Sequence, residues 1–449
     1  MNKILKWTAT ALLAGALALT STPQAGIAKE VSRRVRLDLG TGNPVLQAGQ
    51  NQKAYVRISL TGFPMDERQA RTPVNLTVVL DRSGSMSGEK LEKAKEAAIM
   101  AINRLSPQDI VSVITYESTV NVLLPATRVT DKEAIQERIA SITSGGRTAL
   151  FAGVSKGAAE IRKFVDRNQV NRLILLSDGL ANIGPNSPGE LGELGRSLVR
   201  EGISITTIGL GLDYNEDLMT RLAYASDGNH YFAENARDLA GIFDSELGDV
   251  LTVVAQEVIT EIHCMPSVRP LRVLGQDADI SGDRVIIHHN QIYSEAEKSV
   301  LLEIEVPAQT AGTELDLVRV NVRYANMETK KTDSLDSKIA VTFTESAAVV
   351  KSKADKDVLI SVVEQVARQK NEEATVLRDH GKVGEAKRAL ESNALYLNQS
   401  AAALGGSARL DSLSLQNTQD SENLEGADWK GRRKVMREEQ YKSRQQLKR

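Results

Sequence analysis

A single cysteine, Cys264, stands in a chain of 449 residues, so no intrachain disulfide can form. That excludes the small secreted folds that depend on bridges for stability. The five histidines and this cysteine show no zinc-binding spacing. His288 and His289 are adjacent on a predicted strand, where successive side chains point to opposite faces and cannot share a metal. His230, in GNHYFAEN, reads as a structural histidine. There is no excess of charge of one sign: the formal net charge of −2 gives no push toward nucleic acid or acidic membranes. Past residue 30 no apolar run reaches the length of about 20 residues that crosses a bilayer. The loop after Asp81 ends Ser-Gly-Glu-Lys rather than Gly-Lys-Ser/Thr, which argues against nucleotide binding. GSMSG misses the register of the Gly-x-Ser-x-Gly nucleophile turn, because Met86 falls where the serine would stand.

The N-terminus has a marked pattern. A positive start (MNKILKW), an apolar stretch (TATALLAGALALT) and a small-residue segment (STPQAGIA) predict an export signal over residues 1–28, cleaved after Ala28. The apolar stretch is short for a spanning helix, and a retained anchor is the alternative reading. No cysteine follows it to take a lipid. The expected location is periplasmic or extracellular.

The length suggests two or three domains. Hydrophobic residues at 41% and charged residues at 25% fit a folded soluble protein. Over residues 73–252, VNLTVVLD, DIVSVITY, NRLILLSD and GISITTIGLG read as strands buried on both faces. Helical spacing lies between them, as in Leu91, Ala94, Ala98 and Ile102, and again over 150–165, 191–199 and 218–225. The alternation predicts an α/β fold with a doubly wound, mainly parallel sheet. NVLLPA is expected as an antiparallel edge strand, since Pro125 suits an edge.

On both flanks the period changes to two. Ala54, Val56, Ile58 and Leu60 alternate with polar residues, as do Val300, Leu302, Ile304 and Val306, and Ile339, Val341 and Phe343. Residues 29–72 hold too few strands to stand alone. They are expected to complete a β-sandwich with residues 253–346, with the α/β domain inserted between the two parts. Residues 347–403 read as a helical hairpin turning at His380–Lys382. The remainder, 404–449, reads as a mobile linker and a basic tail. That tail carries nine Lys and Arg against three Asp and Glu from residue 428 onward. It is expected either to be solvated or to touch an anionic membrane surface.

Five oxygen-bearing side chains stand at telling places. Asp81, Ser83 and Ser85 follow the first strand of the α/β domain, Thr148 lies in SGGRTALFAG, and Asp178 ends NRLILLSD. Both aspartates fall at carboxyl ends of strands, the edge where open α/β sheets bind ligands. Mg²⁺ prefers oxygen ligands at about 2.1 Å in octahedral array and keeps some waters. Two carboxylates and three hydroxyls suit it, with Ca²⁺ or Mn²⁺ as alternatives, and leave a position for a partner's oxygen. An ordinary turn with Ser85 or Ser87 capping a helix would account for SGSMSG, but not for Thr148 and Asp178.

In these motifs the chain resembles the von Willebrand factor A domain and its metal-ion-dependent adhesion site, over roughly residues 74–250. The resemblance implies direct ligation by Ser83 and Ser85, and ligation by Asp81, Thr148 and Asp178 directly or through water. It implies a protein partner whose Asp or Glu carboxylate completes the coordination. It further implies coupling between the metal edge and the last helix of the domain, around 239–250. The flanking arrangement is similar to that of bacterial secreted proteins resembling inter-alpha-trypsin inhibitor heavy chains, some loosely labelled calcium-activated chloride channel proteins. The expectation is an exported, metal-dependent protein-binding module for adhesion or envelope assembly, without enzymatic activity. The alternatives are a metal-dependent envelope hydrolase and a scaffold with a non-functional site.

Overall fold

The computed structural model describes residues 33–65, 71–426 and 428–448; the expected export signal lies outside them. Three strands open the described chain: β1 (Val35–Thr41), β2 (Val45–Gln47) and β3 (Gln52–Gly62). In β3, Ala54, Val56, Ile58 and Leu60 are all buried, as the period-two pattern requires.

The α/β domain follows. Its strands are β4 (Val74–Asp81), β5 (Ile110–Tyr116), β6 (Val120–Arg128), β7 (Val170–Ser177), β8 (Ile203–Leu210) and β9 (His230–Ala233). Its helices are α1 (Glu89–Arg104), α2 (Lys132–Ala140), α3 (Leu150–Arg162), α4 (Pro188–Arg200), α5 (Glu216–Ala225) and α6 (Leu239–Leu251). The sheet order is β6-β5-β4-β7-β8-β9. All pairings are parallel except β5 with β6, so the Pro125 segment is the antiparallel edge that its proline suggested. Every residue of β4, β5, β7 and β8 is buried because helices cover both faces. Leu91, Ala94, Ala98 and Ile102 of α1 pack on one face with Phe243 and Leu247 of α6. Val154 and Ala158 of α3, Leu191 of α4 and Leu218 of α5 pack on the other.

The chain then returns to the sandwich with one residue between α6 and β10 (Val253–Cys264). There follow β11 (Arg269–Leu274), β12 (Asp279–Ser281), β13 (Arg284–Tyr293), β14 (Glu297–Val306), β15 (Glu314–Asn326) and β16 (Thr332–Thr344). One sheet runs β1-β3-β14-β11 and the other β12-β13-β10-β15-β16-β2. Their facing side chains, among them Val56, Ile58, Val258, Ile262, Leu302 and Val320, form one core. The N-terminal strands thus complete the sandwich, with β3 held between β1 and β14. On β13, His288 faces solvent and His289 is buried, the opposition that a strand imposes.

The C-terminal quarter is mainly helical: α7 (Ala347–Lys353), α8 (Lys356–Asp379), α9 (Val383–Ala403), α10 (Ala408–Glu422) and α11 (Trp429–Gln445), then β17 (Leu447–Lys448) against β14. The α8–α9 hairpin turns at 380–382 as expected. Where a mobile linker was expected, residues 408–422 are a helix. Composition misled there because the buried face of α10 is polar. Ser414 Oγ donates to the Ala394 carbonyl at 3.0 Å, and Asn393 Nδ2 donates to Asn417 Oδ1 at 2.9 Å. Buried polar groups are tolerated when their hydrogen bonds are made.

The basic tail is corrected in the same way. Arg432 holds the buried carboxylate of Asp420 at 2.5 Å, and Arg433 pairs with Glu216, Asp217 and Asp379. Lys434 is buried against Glu216 and lies 3.9 Å over the Tyr214 ring. These charges are spent inside the chain, so α11 is a strap binding the helical region to α5.

His230 sits under this strap. Its Nδ1 is 2.8 Å from Thr207 Oγ1, and the Tyr441 ring lies edge-on at 5.8 Å. Burial, assisted by Lys434 and Lys442, pushes its pKa down to about 3. An unfolded histidine titrates near 6.5, so the stability that its neutral form contributes is complete above that pH and is lost progressively as pH falls toward 3. The cost at pH 5 is about 2 kcal/mol. Urea denaturation at pH 7.5 and 5.0 should show His230→Phe losing about 2 kcal/mol less than wild type between the two. Equal losses would contradict the assignment.

Candidate functional site

Strands β4 and β7 are neighbours in parallel register, Leu80 beside Leu176, so the residues that follow them emerge at one edge of the sheet. Beyond β4 the chain turns to β5 on one side and to β7 on the other. The edge is therefore a switch point in strand order, where loops diverge and leave a crevice. Asp81 closes β4; Ser83 and Ser85 lie in the short turn before α1; Asp178 follows β7 directly.

The structure brings these groups together. Ser83 Oγ is 3.1 Å from Ser85 Oγ, and Ser85 Oγ donates to Asp178 Oδ1 at 2.7 Å. Thr148 reaches the same place from the loop before α3. A Cβ added to Gly179 would lie 3.3 Å from Thr148 Oγ1 and 3.5 Å from Ser85 Oγ, so glycine leaves room for both hydroxyls. Asp81 stands behind: its Oδ1 accepts from the Ser83 backbone N–H and its Oδ2 from Ser177 Oγ, both at 2.8 Å. Asp81, Ser83, Thr148 and Asp178 are buried, whereas Ser85 is exposed and marks the open side.

The loops are fixed by backbone bonds. Gly84 N–H donates to the Gly146 carbonyl at 3.1 Å, and Gly145 N–H to the Arg82 carbonyl at 2.7 Å. Gly146 has φ of 78°, and a Cβ there would collide with the Glu117 carboxylate. Thr148 is clamped at both ends: its N–H donates to Asn182 Oδ1 at 3.0 Å, and its carbonyl accepts from Asn182 N–H at 3.1 Å.

Burial pushes Asp81 up to about 6, against the pull of its bonds from Ser83 and Ser177; the nearby Asp178 adds to the rise. Burial also raises the Tyr116 phenol, which lies beneath the site and donates to the Leu176 carbonyl at 3.2 Å. Two buried carboxylates so close together call for a positive charge. Lys90, on the first turn of α1, supplies one: its Nζ lies 2.6 Å from Asp178 Oδ2.

The donor set fits a hard cation. Adjacent ligands of an octahedral ion at about 2.1 Å lie about 3.0 Å apart, and the observed oxygen spacings of 3.1 and 2.7 Å bracket that value. Among the described residues no group of three or more His, Cys, Asp or Glu could hold a metal, so a cation here must draw on hydroxyl oxygens. Sequence reasoning missed Ser177, Asn182, Gly179 and Lys90. Ser177 and Gly179 flank Asp178 and had a signal in that position. Asn182 and Lys90 had none, since only the loop fold turns them inward.

Residues 75–245 match the model of the von Willebrand factor type A domain. The chain is 27% identical over 219 residues to the uncharacterized protein YfbK of Escherichia coli (strain K12), spanning 48% of this chain and 38% of that relative. It is 26% identical over 200 residues to human inter-alpha-trypsin inhibitor heavy chain H3, spanning 41% of this chain and 22% of that one. The match thus covers well under half of either relative. Among solved structures, a von Willebrand factor type A protein from Catenulispora acidiphila superposes with a TM-score of 0.69 at 16% identity, over 88% of this chain and 98% of that one. At that identity the likeness is one of fold, and it takes in the sandwich and helices as well as the α/β sheet. Residues 75–245 of this chain are therefore a von Willebrand factor type A domain, carried as an insertion in a β-sandwich.

Proposed function

We propose that this chain is an exported protein-binding module that grips a partner through a divalent cation. Ser83, Ser85 and Thr148 would hold the ion, with Asp81 and Asp178 supplying charge, and an Asp or Glu carboxylate of the partner would complete the coordination. Domains of this family commonly mediate protein interactions. The observation that carries the reading is the convergence of three hydroxyls and two carboxylates at the switch-point edge, with Ser85 open to solvent. Leu180 and Leu212, 59% and 37% exposed, stand on the loops leaving β7 and β8 and give a protein partner apolar contact beside the ion. Binding is favoured over hydrolysis because both carboxylates are engaged, Asp81 by Ser83 and Ser177 and Asp178 by Ser85 and Lys90. With both given to the ion, the five residues hold no further group to act as a general base.

Mg²⁺ is the expected ion, with Mn²⁺ and Ca²⁺ as alternatives of the same oxygen-loving class. Asp178→Ala removes one of the two negative charges and a donor to the ion, and should weaken Mg²⁺ binding about 100-fold. Calorimetric titration of Mg²⁺ into wild type and variant measures this; equal affinities would refute the site. Capture of a protein from envelope extract should then require the metal and fail with chelator.

A further inference from the structure

Among the described residues Lys90 is the one basic side chain that touches a carboxylate of the candidate site, and it does so on the far oxygen. Asp178 Oδ1 faces the Ser85 hydroxyl at 2.7 Å, while Oδ2 faces Lys90 Nζ at 2.6 Å. The ammonium thus holds Asp178 so that a single oxygen is turned toward the serines. The same Nζ lies 3.9 Å from where a Cβ on Gly211 would stand, which places it between the loops leaving β7 and β8.

Consider the charge of the loaded site. Asp81 and Asp178 contribute −2 and a divalent ion +2, which sum to zero; Lys90 raises the total to +1. A partner carboxylate then brings the site to neutrality instead of leaving it at −1. We propose that Lys90 sets the charge of this site, lowering its affinity for the divalent ion while raising the affinity of the loaded site for a carboxylate. The inference rests on the cation reading given above and adds to it the residue that divides binding strength between metal and partner. Like charges a few ångströms apart repel, and the effect is moderated by water because the Lys90 side chain is 34% exposed. The same ammonium attracts an incoming anion.

The two effects have opposite signs, and a merely structural lysine would not produce that pattern. The test uses the full chain as wild type, Lys90→Met and Lys90→Arg. Mg²⁺ affinity is measured by calorimetry. Carboxylate affinity is measured with acetate, through the broadening of its methyl proton resonance by protein saturated with Mn²⁺. Lys90→Met should bind Mg²⁺ about tenfold more tightly and acetate about threefold more weakly. Lys90→Arg keeps the charge and should stay close to wild type in both. Lys90→Met with unchanged or weaker Mg²⁺ affinity would overturn the inference, as would tighter Mg²⁺ with unchanged acetate broadening. Failure of wild type and Lys90→Met alike to take up Mg²⁺ would overturn the cation reading itself, and this inference with it.

Discussion

A chain starting at Arg71, and so lacking β1 to β3, is expected to lose the cooperative fold of its sandwich. Strand β3 is central to one sheet, paired with β1 on one side and with β14 over ten residues on the other, from Gln52↔Val306 to Thr61↔Glu297. Its removal bares the whole hydrogen-bonding edge of β14, a template for intermolecular pairing. It also takes Val35, Leu46, Val56, Ile58 and Leu60 from the core, each at most 2% exposed. At about 1.5–3 kcal/mol for each buried side chain, the loss is about 7–15 kcal/mol. That equals the whole stability of an ordinary domain, about 5–15 kcal/mol. Circular dichroism melts and light scattering should show a broad, aggregating transition. A soluble, sharply melting truncated chain would mean that the sandwich stands without its N-terminal strands.

The second large effect lies where the A domain meets the sandwich. Arg172 of β7 is completely buried. Its guanidinium donates to Thr206 Oγ1 at 3.1 Å, and across the domain boundary to Gln291 Oε1 at 2.6 Å and Tyr293 Oη at 3.0 Å. Its Nε is 3.5 Å from Oε1 of Glu246, equally buried on α6. Arg172→Met leaves that carboxylate without its cation and should cost about 3–5 kcal/mol. Glu246→Gln in the same chain should recover more than half, because a neutral amide needs no counter-charge and can still bond to Thr206 and Asn229. Urea denaturation of the two single variants and the double variant decides this. A double variant no more stable than Arg172→Met alone would show that the pair is not coupled.

The pair also bears on the coupling that the family resemblance implies for α6. Glu246 pins the middle of α6 to β7, β8 and, through Arg172, to β13 of the sandwich. Any shift of α6 on partner binding must therefore strain a buried charge pair. Arg172→Met should raise hydrogen exchange over residues 239–251 as well as lower stability.

Much of this molecule was legible along the chain. The near-continuous apolar runs of β4, β5, β7 and β8 announce strands covered on both faces, and period-two alternation in 54–60 and 300–306 announces sandwich strands. Both signals are local, because a side chain's direction follows from backbone period alone. The five candidate ligands were legible for a related reason. Each sits at a strand end or in a glycine-bearing loop, and the topology of a parallel sheet carries such ends to one edge.

The last two helices were not legible in this way. Helix α10 buries Ser414, Asn417 and Asp420, whose polarity reads as solvent exposure until their partners Ala394, Asn393 and Arg432 are known. Helix α11 reads as a basic arm until Glu216, Asp217 and Asp379 close around Arg433. The same holds for Lys90 at the cation site and Arg172 at the domain boundary. The sequence alone determined where most strands and helices up to α9 and the oxygen donors lie, since these depend on period and short-range turns. The tertiary structure alone decided which charges are solvated and which are paired, since a charge's partner lies far along the chain, 88 residues away for Lys90 and 217 for Arg433 with Glu216.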